Sequence, residues 1–147
     1  MPKKSFLPII RELVRCYQAF ESHSAGHIRT LGLTPAQFDI VATLGNTDGM
    51  SFKQLGEKTL ITKGTLTGVV DRLVLKRLVC RTASPNDGRS QIVCLTSKGE
   101  SLFEDIFPAH LGHLRRAFGA FSGADLQQTE SVLRSLRVSF ERAREET

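Results

Sequence analysis

Three groups of residues in this chain have the types and spacing to do chemistry. Thr62, Lys63, Thr65 and Thr67 crowd the start of a helix-forming stretch that continues to Arg72, so hydroxyls, methyls and cations share its polar side. The turn sequence Ser84-Pro-Asn-Asp-Gly-Arg-Ser90 carries Asp87, Arg89 and Ser90. The third group holds the nucleophiles and ligands: Cys16, Cys80 and Cys94, and the histidine pairs His23 with His27 and His110 with His113. Residues of the first two groups suit a DNA duplex, where cations and hydroxyls position phosphates, and hydroxyls and methyls read base edges. Gly64 and Gly68 interrupt the same stretch, and both glycine and β-branched threonine lower helix propensity. That composition makes sense where a helix face must approach bases and phosphates closely.

The charge distribution points the same way. The 147 residues carry 20 Lys plus Arg against 15 Asp plus Glu, a net +5. Between Ser51 and Gly99 there are nine basic and three acidic residues, a net +6, and the flanks together are −1. A localised excess of this kind is the footprint of a polyanion-binding module, whereas scattered charge mainly serves solubility.

Composition excludes several classes. With 40% hydrophobic and 24% charged residues the chain is neither disordered nor collagen-like. At this length roughly 70% of the unfolded surface can be buried, so a core needs no disulfide or metal. No apolar run reaches the roughly 18 residues of a membrane helix, and Ile9-Ile10 run into Arg11-Glu12 without the apolar stretch of a signal peptide. The expected location is the cytoplasm, with the nucleoid, and no membrane partner is expected. No P-loop, GxSxG, HExxH or GxGxxG motif is present, so the chain is not expected to be an enzyme, and no cofactor or metal is assigned.

The elements that must position these groups follow from periodicity and caps. Phe6, Ile9, Ile10, Leu13, Val14, Tyr17 and Phe20 recur at helical spacing and predict a helix from Phe6 to about Leu31. Thr34-Pro-Ala-Gln37 and Ser51-Phe-Lys-Gln54 are capping boxes that open helices to about Leu44 and Lys58. Thr62 caps the next helix, with Leu66, Val69, Val70 and Leu73 behind it. Leu78–Ala83 and Gln91–Leu95 read as strands joined at Asp87-Gly88, a hairpin-turn signal. Thr96 or Ser97 caps a long helix that Pro108 should kink, and a last helix opens at Ser122.

A short helix, a tight turn and a second helix with a polar front make a helix–turn–helix, and the hairpin behind it makes a wing. The competing reading is a solvated amphipathic helix in a small α/β domain. The expected fold class is mainly α with a small β-hairpin wing (α+β), a winged helix–turn–helix flanked by N- and C-terminal helices. The DNA-binding set is Thr62, Lys63, Thr65, Leu66, Thr67, Arg72, Asp87, Arg89 and Ser90.

Leu78-Val-Cys-Arg81, Asp87-Gly-Arg89 and Leu95-Thr-Ser-Lys-Gly99 together resemble the MarR family of bacterial winged helix–turn–helix regulators, and the flanking helices extend the resemblance along the chain. One departure is Ser90, where many members have a second arginine. The resemblance implies a single MarR-like domain over residues 1–147. Residues 1–33 and 100–147 would supply dimerisation helices, and 34–99 the DNA-binding module. It implies a homodimer on a pseudopalindromic double-stranded DNA operator, acting as a repressor released by a small aromatic ligand. The broad apolar stripes of the first and last helices agree with a dimer. Its candidate residues are Phe6, Leu7, Ile10, Val132, Leu136 and Phe140. Tyr17, His27, Phe38 and Phe107 are candidates to line the effector crevice, or simply core.

Four questions stay open at this point. Cys16, beside Tyr17, matches a branch of the family that senses hydroperoxides, although this chain has a single tyrosine. Each histidine pair offers two imidazoles to a metal, with no clear third ligand. A non-specific architectural DNA-binding protein would show the same basic module without sequence preference. Cys80 and Cys94 flank the turn so that they fall nearly opposite, which leaves packed free thiols or a strained cross-strand disulfide.

Overall fold

The structure is a computed structural model describing residues 5–86 and 88–147. The elements run α1 (Leu7–Thr30), α2 (Pro35–Leu44), β1 (Met50–Ser51), α3 (Phe52–Lys58), α4 (Lys63–Leu75), β2 (Val79–Ala83), β3 (Gln91–Leu95), α5 (Ser97–Arg115), a 3-10 turn (Arg116–Phe118) and α6 (Gly123–Glu145). They group into two compact units, one ending at Leu114 and one from Arg115 to Thr147.

Local chemistry sets the helix starts. Both expected capping boxes form: Thr34 Oγ1 accepts from the Gln37 N–H at 3.2 Å and Ser51 Oγ from the Gln54 N–H at 3.1 Å, with the glutamine side chains reaching back. Ser122 and Asp125 build a third at the start of α6. Thr62 stands at the N-cap of α4 but makes no side-chain cap bond; its hydroxyl donates instead to Thr65 Oγ1 at 3.0 Å. Pro108 lies inside α5 without ending it.

The sheet has three antiparallel strands in the order β1-β3-β2, one more than the hairpin expected from sequence. The added strand is two residues long, Met50 facing Val93 and Ser51 facing Ile92. Strands β2 and β3 pair with Val79 opposite Leu95 and Cys80 opposite Cys94. The loop between them is closed by Ser84 N–H donating to the Ser90 carbonyl at 2.9 Å. The expected turn residue Asp87 lies outside the described residues.

Ile40, Val41 and Leu44 of α2, Leu55 of α3, Val70 and Leu73 of α4, Val79 of β2 and Val93 of β3 are the fully buried side chains of the first unit. They hold the helix–turn–helix and the wing on one core. The Leu95-Thr96-Ser97-Lys98-Gly99 segment acquires a physical reason here. Thr96 Oγ1 accepts the Gly99 N–H at 3.1 Å and donates to the Arg77 carbonyl at 2.6 Å, and a Cβ at Gly99 would overlap the Leu78 carbonyl oxygen. Glycine there lets the first turn of α5 lie against the backbone at Leu78, where the chain enters β2. By contrast α6, with 23 residues, buries none of them.

Candidate nucleic-acid interface

The core fixes which side of α4 is available. Leu66, Val69, Val70 and Leu73 are buried, so Thr62, Lys63, Thr65, Thr67 and Arg72 stand exposed around the rest of the helix. Leu66, counted from sequence among the DNA-binding residues, is corrected: it is 2% exposed in the core, and its helical phase with Val70 and Leu73 keeps it from any duplex. Gly64 and Gly68 are one helical turn apart, and a Cβ built at either meets nothing within 4 Å. The chain's own packing therefore does not require glycine at these positions, although each costs about 1 kcal/mol of helix propensity relative to alanine.

The wing is tied to this helix. Arg81 on β2 forms an ion pair with Asp71 on α4, and its guanidinium lies 5.8 Å from the centre of the Phe52 ring. Lys76 donates to Gln37 Oε1 at 3.2 Å and Lys98 to the Lys76 carbonyl at 3.2 Å. Arg81, Lys76 and Lys98, all cations of the basic segment, are thus engaged within the protein. Arg89 is exposed on the wing loop and Ser90 is half-buried at its closing bond.

Beside the helix–turn–helix lies a cavity of about 620 Å³ bounded by α1, α2, α4 and α5. Tyr17, Phe38 and Phe107 line it, with Phe20, Ile28 and Leu111 adding to its apolar wall. His27 is corrected: the cavity is lined by His110 in its place. Thr62 and Thr65, at the start of α4, also form part of the wall. Asp39 lies there too and accepts the Leu60 N–H at 3.2 Å, joining α2 to the turn before α4. Burial raises the Asp39 carboxyl above the ordinary carboxylate range, and the Leu60 bond opposes part of that rise.

All four histidines of the chain gather next to this cavity, which pairwise spacing did not foretell. His27 stacks on His113 with ring centres 4.4 Å apart, and His23 on His113 at 4.1 Å. His110 is 3% exposed; its Nε2 meets Ser24 Oγ at 3.0 Å and its Nδ1 meets His27 Nδ1 at 2.9 Å. Of two facing Nδ1 atoms only one can carry the proton of that bond. Burial first, then the neighbouring histidines, holds the His110 pKa below its ordinary value. Among the described residues no three His, Cys, Asp or Glu side chains are placed to hold a metal ion.

The dimer candidates Phe6, Leu7, Val132 and Phe140 are exposed, at 67%, 53%, 61% and 48%, while Ile10 and Leu136 are partly so. Cys16 is exposed on α1. No described helix is long and apolar enough to cross a membrane.

Comparison with known proteins bears on what this arrangement is. The profile described as MarR family matches residues 31–90, from the end of α1 through the wing loop. The HTH-type transcriptional regulator MhqR of Bacillus subtilis (strain 168) is 33% identical over 139 residues, covering 95% of both chains. A structure of Bordetella bronchiseptica BpsR, reported for regulation of its DNA binding by 6-hydroxynicotinic acid, superposes with a TM-score of 0.79 at 26% identity, covering 93% of this chain and 98% of that one. The fold is also that of Sco3205 from Streptomyces coelicolor, solved in complex with DNA, with a TM-score of 0.81 at 20% identity over 91% of this chain and 90% of the other. With a winged helix–turn–helix on a single core and a regulator matched along nearly its whole length, the chain belongs to the MarR family, whose members are DNA-binding transcriptional regulators.

Proposed function

We propose that this protein is a cytoplasmic, nucleoid-associated repressor that binds a pseudopalindromic operator as a homodimer and is released by a small aromatic ligand. The observation that carries the DNA reading is the front of α4. It is exposed, rich in hydroxyls, and bare at Gly64 and Gly68 where the protein's own packing leaves open space. Thr67 and Lys63 on that front are assigned to bases and phosphates, together with Thr62, Thr65 and Arg72, and Asp87, Arg89 and Ser90 to the wing contacts.

Residues 34–99 serve as the DNA-binding module, and residues 1–33 and 100–147 as dimerisation segments within one MarR-like domain. The support is the apolar surface that α1 and α6 leave exposed, which a two-fold contact would cover. Two modules so joined would reach half-sites about one helical turn of DNA apart, or a multiple of it.

The cavity supports the ligand reading. Its apolar walls suit an aromatic ring, and its polar groups Asp39, Ser24 and His110 suit a hydroxyl or ring nitrogen. Because Thr65 of α4 and its N-cap Thr62 belong to the cavity wall, a ligand that fits one placement of α4 better than another must change DNA affinity, and DNA must change ligand affinity equally. BpsR, whose DNA binding 6-hydroxynicotinic acid regulates, supports the same ligand class.

The test is selection of bound duplexes from a random DNA pool, followed by affinity for the selected and for random duplex at one salt concentration. The expected result is an inverted repeat bound about a thousandfold tighter than random DNA. Tight binding with no enriched sequence would overturn the operator reading in favour of an architectural binder.

A further inference from the structure

The sequence left Cys80 and Cys94 between packed thiols and a strained disulfide, and the structure sets them face to face. They are register partners on β2 and β3, with sulfurs 3.0 Å apart. Their pair has the same parity as Leu78/Thr96 and Ser84/Ser90, whose backbone bonds are 3.0 and 2.9 Å, so it is a hydrogen-bonded pair of the ladder. Such pairs hold their Cα atoms about 5.5 Å apart, within the roughly 4.4–6.8 Å that a disulfide spans. Both side chains are half-buried, on the sheet face opposite the buried Val79 and Val93. The chain next to them is constrained as well: at Gly49, with φ +106°, a Cβ would lie 3.0 Å from Cys94 Cβ.

The geometry points to Cys80 and Cys94 as a reversible redox site in the wing, oxidised by a hydroperoxide to an intrachain disulfide that weakens DNA binding. Cys80 attacks the peroxide, its sulfur taking one oxygen to give a sulfenic acid while the alcohol, or water from hydrogen peroxide, departs. Cys94 sulfur then attacks the Cys80 sulfur, the S–S bond forms, and the sulfenic hydroxyl leaves with the Cys94 proton as water. Two thiols lose two electrons in all, and one O–O bond is reduced. The shared hydrogen bond to Cys80, and then burial, push the Cys94 thiol up to about 11, and the product is the same disulfide whichever sulfur attacks first.

Closing the sulfurs from 3.0 Å to about 2.05 Å across a bonded pair re-twists the hairpin. Arg81, the next residue on β2, carries that change to Asp71 on α4, and the Ser84–Ser90 bond continues the same ladder.

The consequence for DNA rests on the operator reading above, but formation of the bond does not. Full-length protein with Cys16→Ser is treated with hydrogen peroxide, then alkylated and analysed by mass spectrometry. The expected product has lost two hydrogens and yields a linked Cys80–Cys94 peptide, absent in Cys80→Ser and in Cys94→Ala. Separate oxidation of either cysteine to sulfinic acid, or no reaction, would overturn the site. On the selected duplex, oxidised protein is expected to bind at least tenfold more weakly, with full recovery on reduction and no peroxide response in Cys80→Ser. A linked peptide with unchanged affinity would overturn the regulatory consequence. Failure of the reduced protein to bind any duplex would overturn the operator reading instead, and the peptide result would still decide the bond.

Discussion

Helices α4 and α6 are both amphipathic, yet the protein treats them in opposite ways. Four of the 13 residues of α4 are buried in the protein's own core, and its exposed side is left with threonines, cations and two glycines. None of the 23 residues of α6 is buried, and Val132, Leu133 and Phe140 remain open to solvent. A helix whose apolar side is satisfied within the chain exposes chemistry. One whose apolar side is not satisfied exposes a demand for a partner. In the function proposed above, the first property suits α4 to DNA and the second suits α6 to another copy of the chain.

The sharpest way to break the contrast is to truncate the apolar side of each helix. Leu73→Ala, at a fully buried position, is expected to lower unfolding free energy by about 2–5 kcal/mol in denaturant titrations at high protein concentration. The same titrations on Leu66→Ala are expected to give a loss of similar size with sequence preference unchanged, since that side chain faces the core. For α6 the readout is association. Val132→Asp combined with Phe140→Asp is expected to weaken self-association at least a hundredfold by sedimentation equilibrium, on the basis of roughly 1.5–3 kcal/mol for each large apolar side chain buried. Dimerisation at wild-type strength in that variant would remove α6 from the interface.

A smaller effect separates the histidine cluster from both helices. His110 binds its proton less readily in the folded protein than in the unfolded chain, whose value is the ordinary 6.5. As pH falls below about 6.5 the unfolded state takes up the proton first, so stability drops until the folded pKa is passed, and above that window it is fully retained. Denaturation midpoints between about pH 7.5 and about pH 5.5 are expected to fall, and His110→Gln is expected to flatten the slope.

Much of the fold was legible because it is written locally. Thr34/Gln37, Ser51/Gln54 and Ser122/Asp125 are capping signals contained within four residues, and each forms. The back of α4 followed from its helical period. What required tertiary information was hidden. Strand β1 exists only because Met50 and Ser51 meet Val93 and Ile92, and two residues carry no period. Gathering four histidines needs α1 and α5 side by side, so His110 took the place in the cavity assigned to His27. Arg81 looked like one cation among nine until Asp71 claimed it.

The most direct test of the central claim is Gly68→Ala, measured for stability and for affinity to the selected duplex. The side chain meets nothing within the protein, so the helix is expected to gain about 0.5–1 kcal/mol while the duplex, needing close approach to that backbone, is bound at least tenfold more weakly. A more stable protein that binds the duplex as tightly as before would contradict the assignment of this face to DNA.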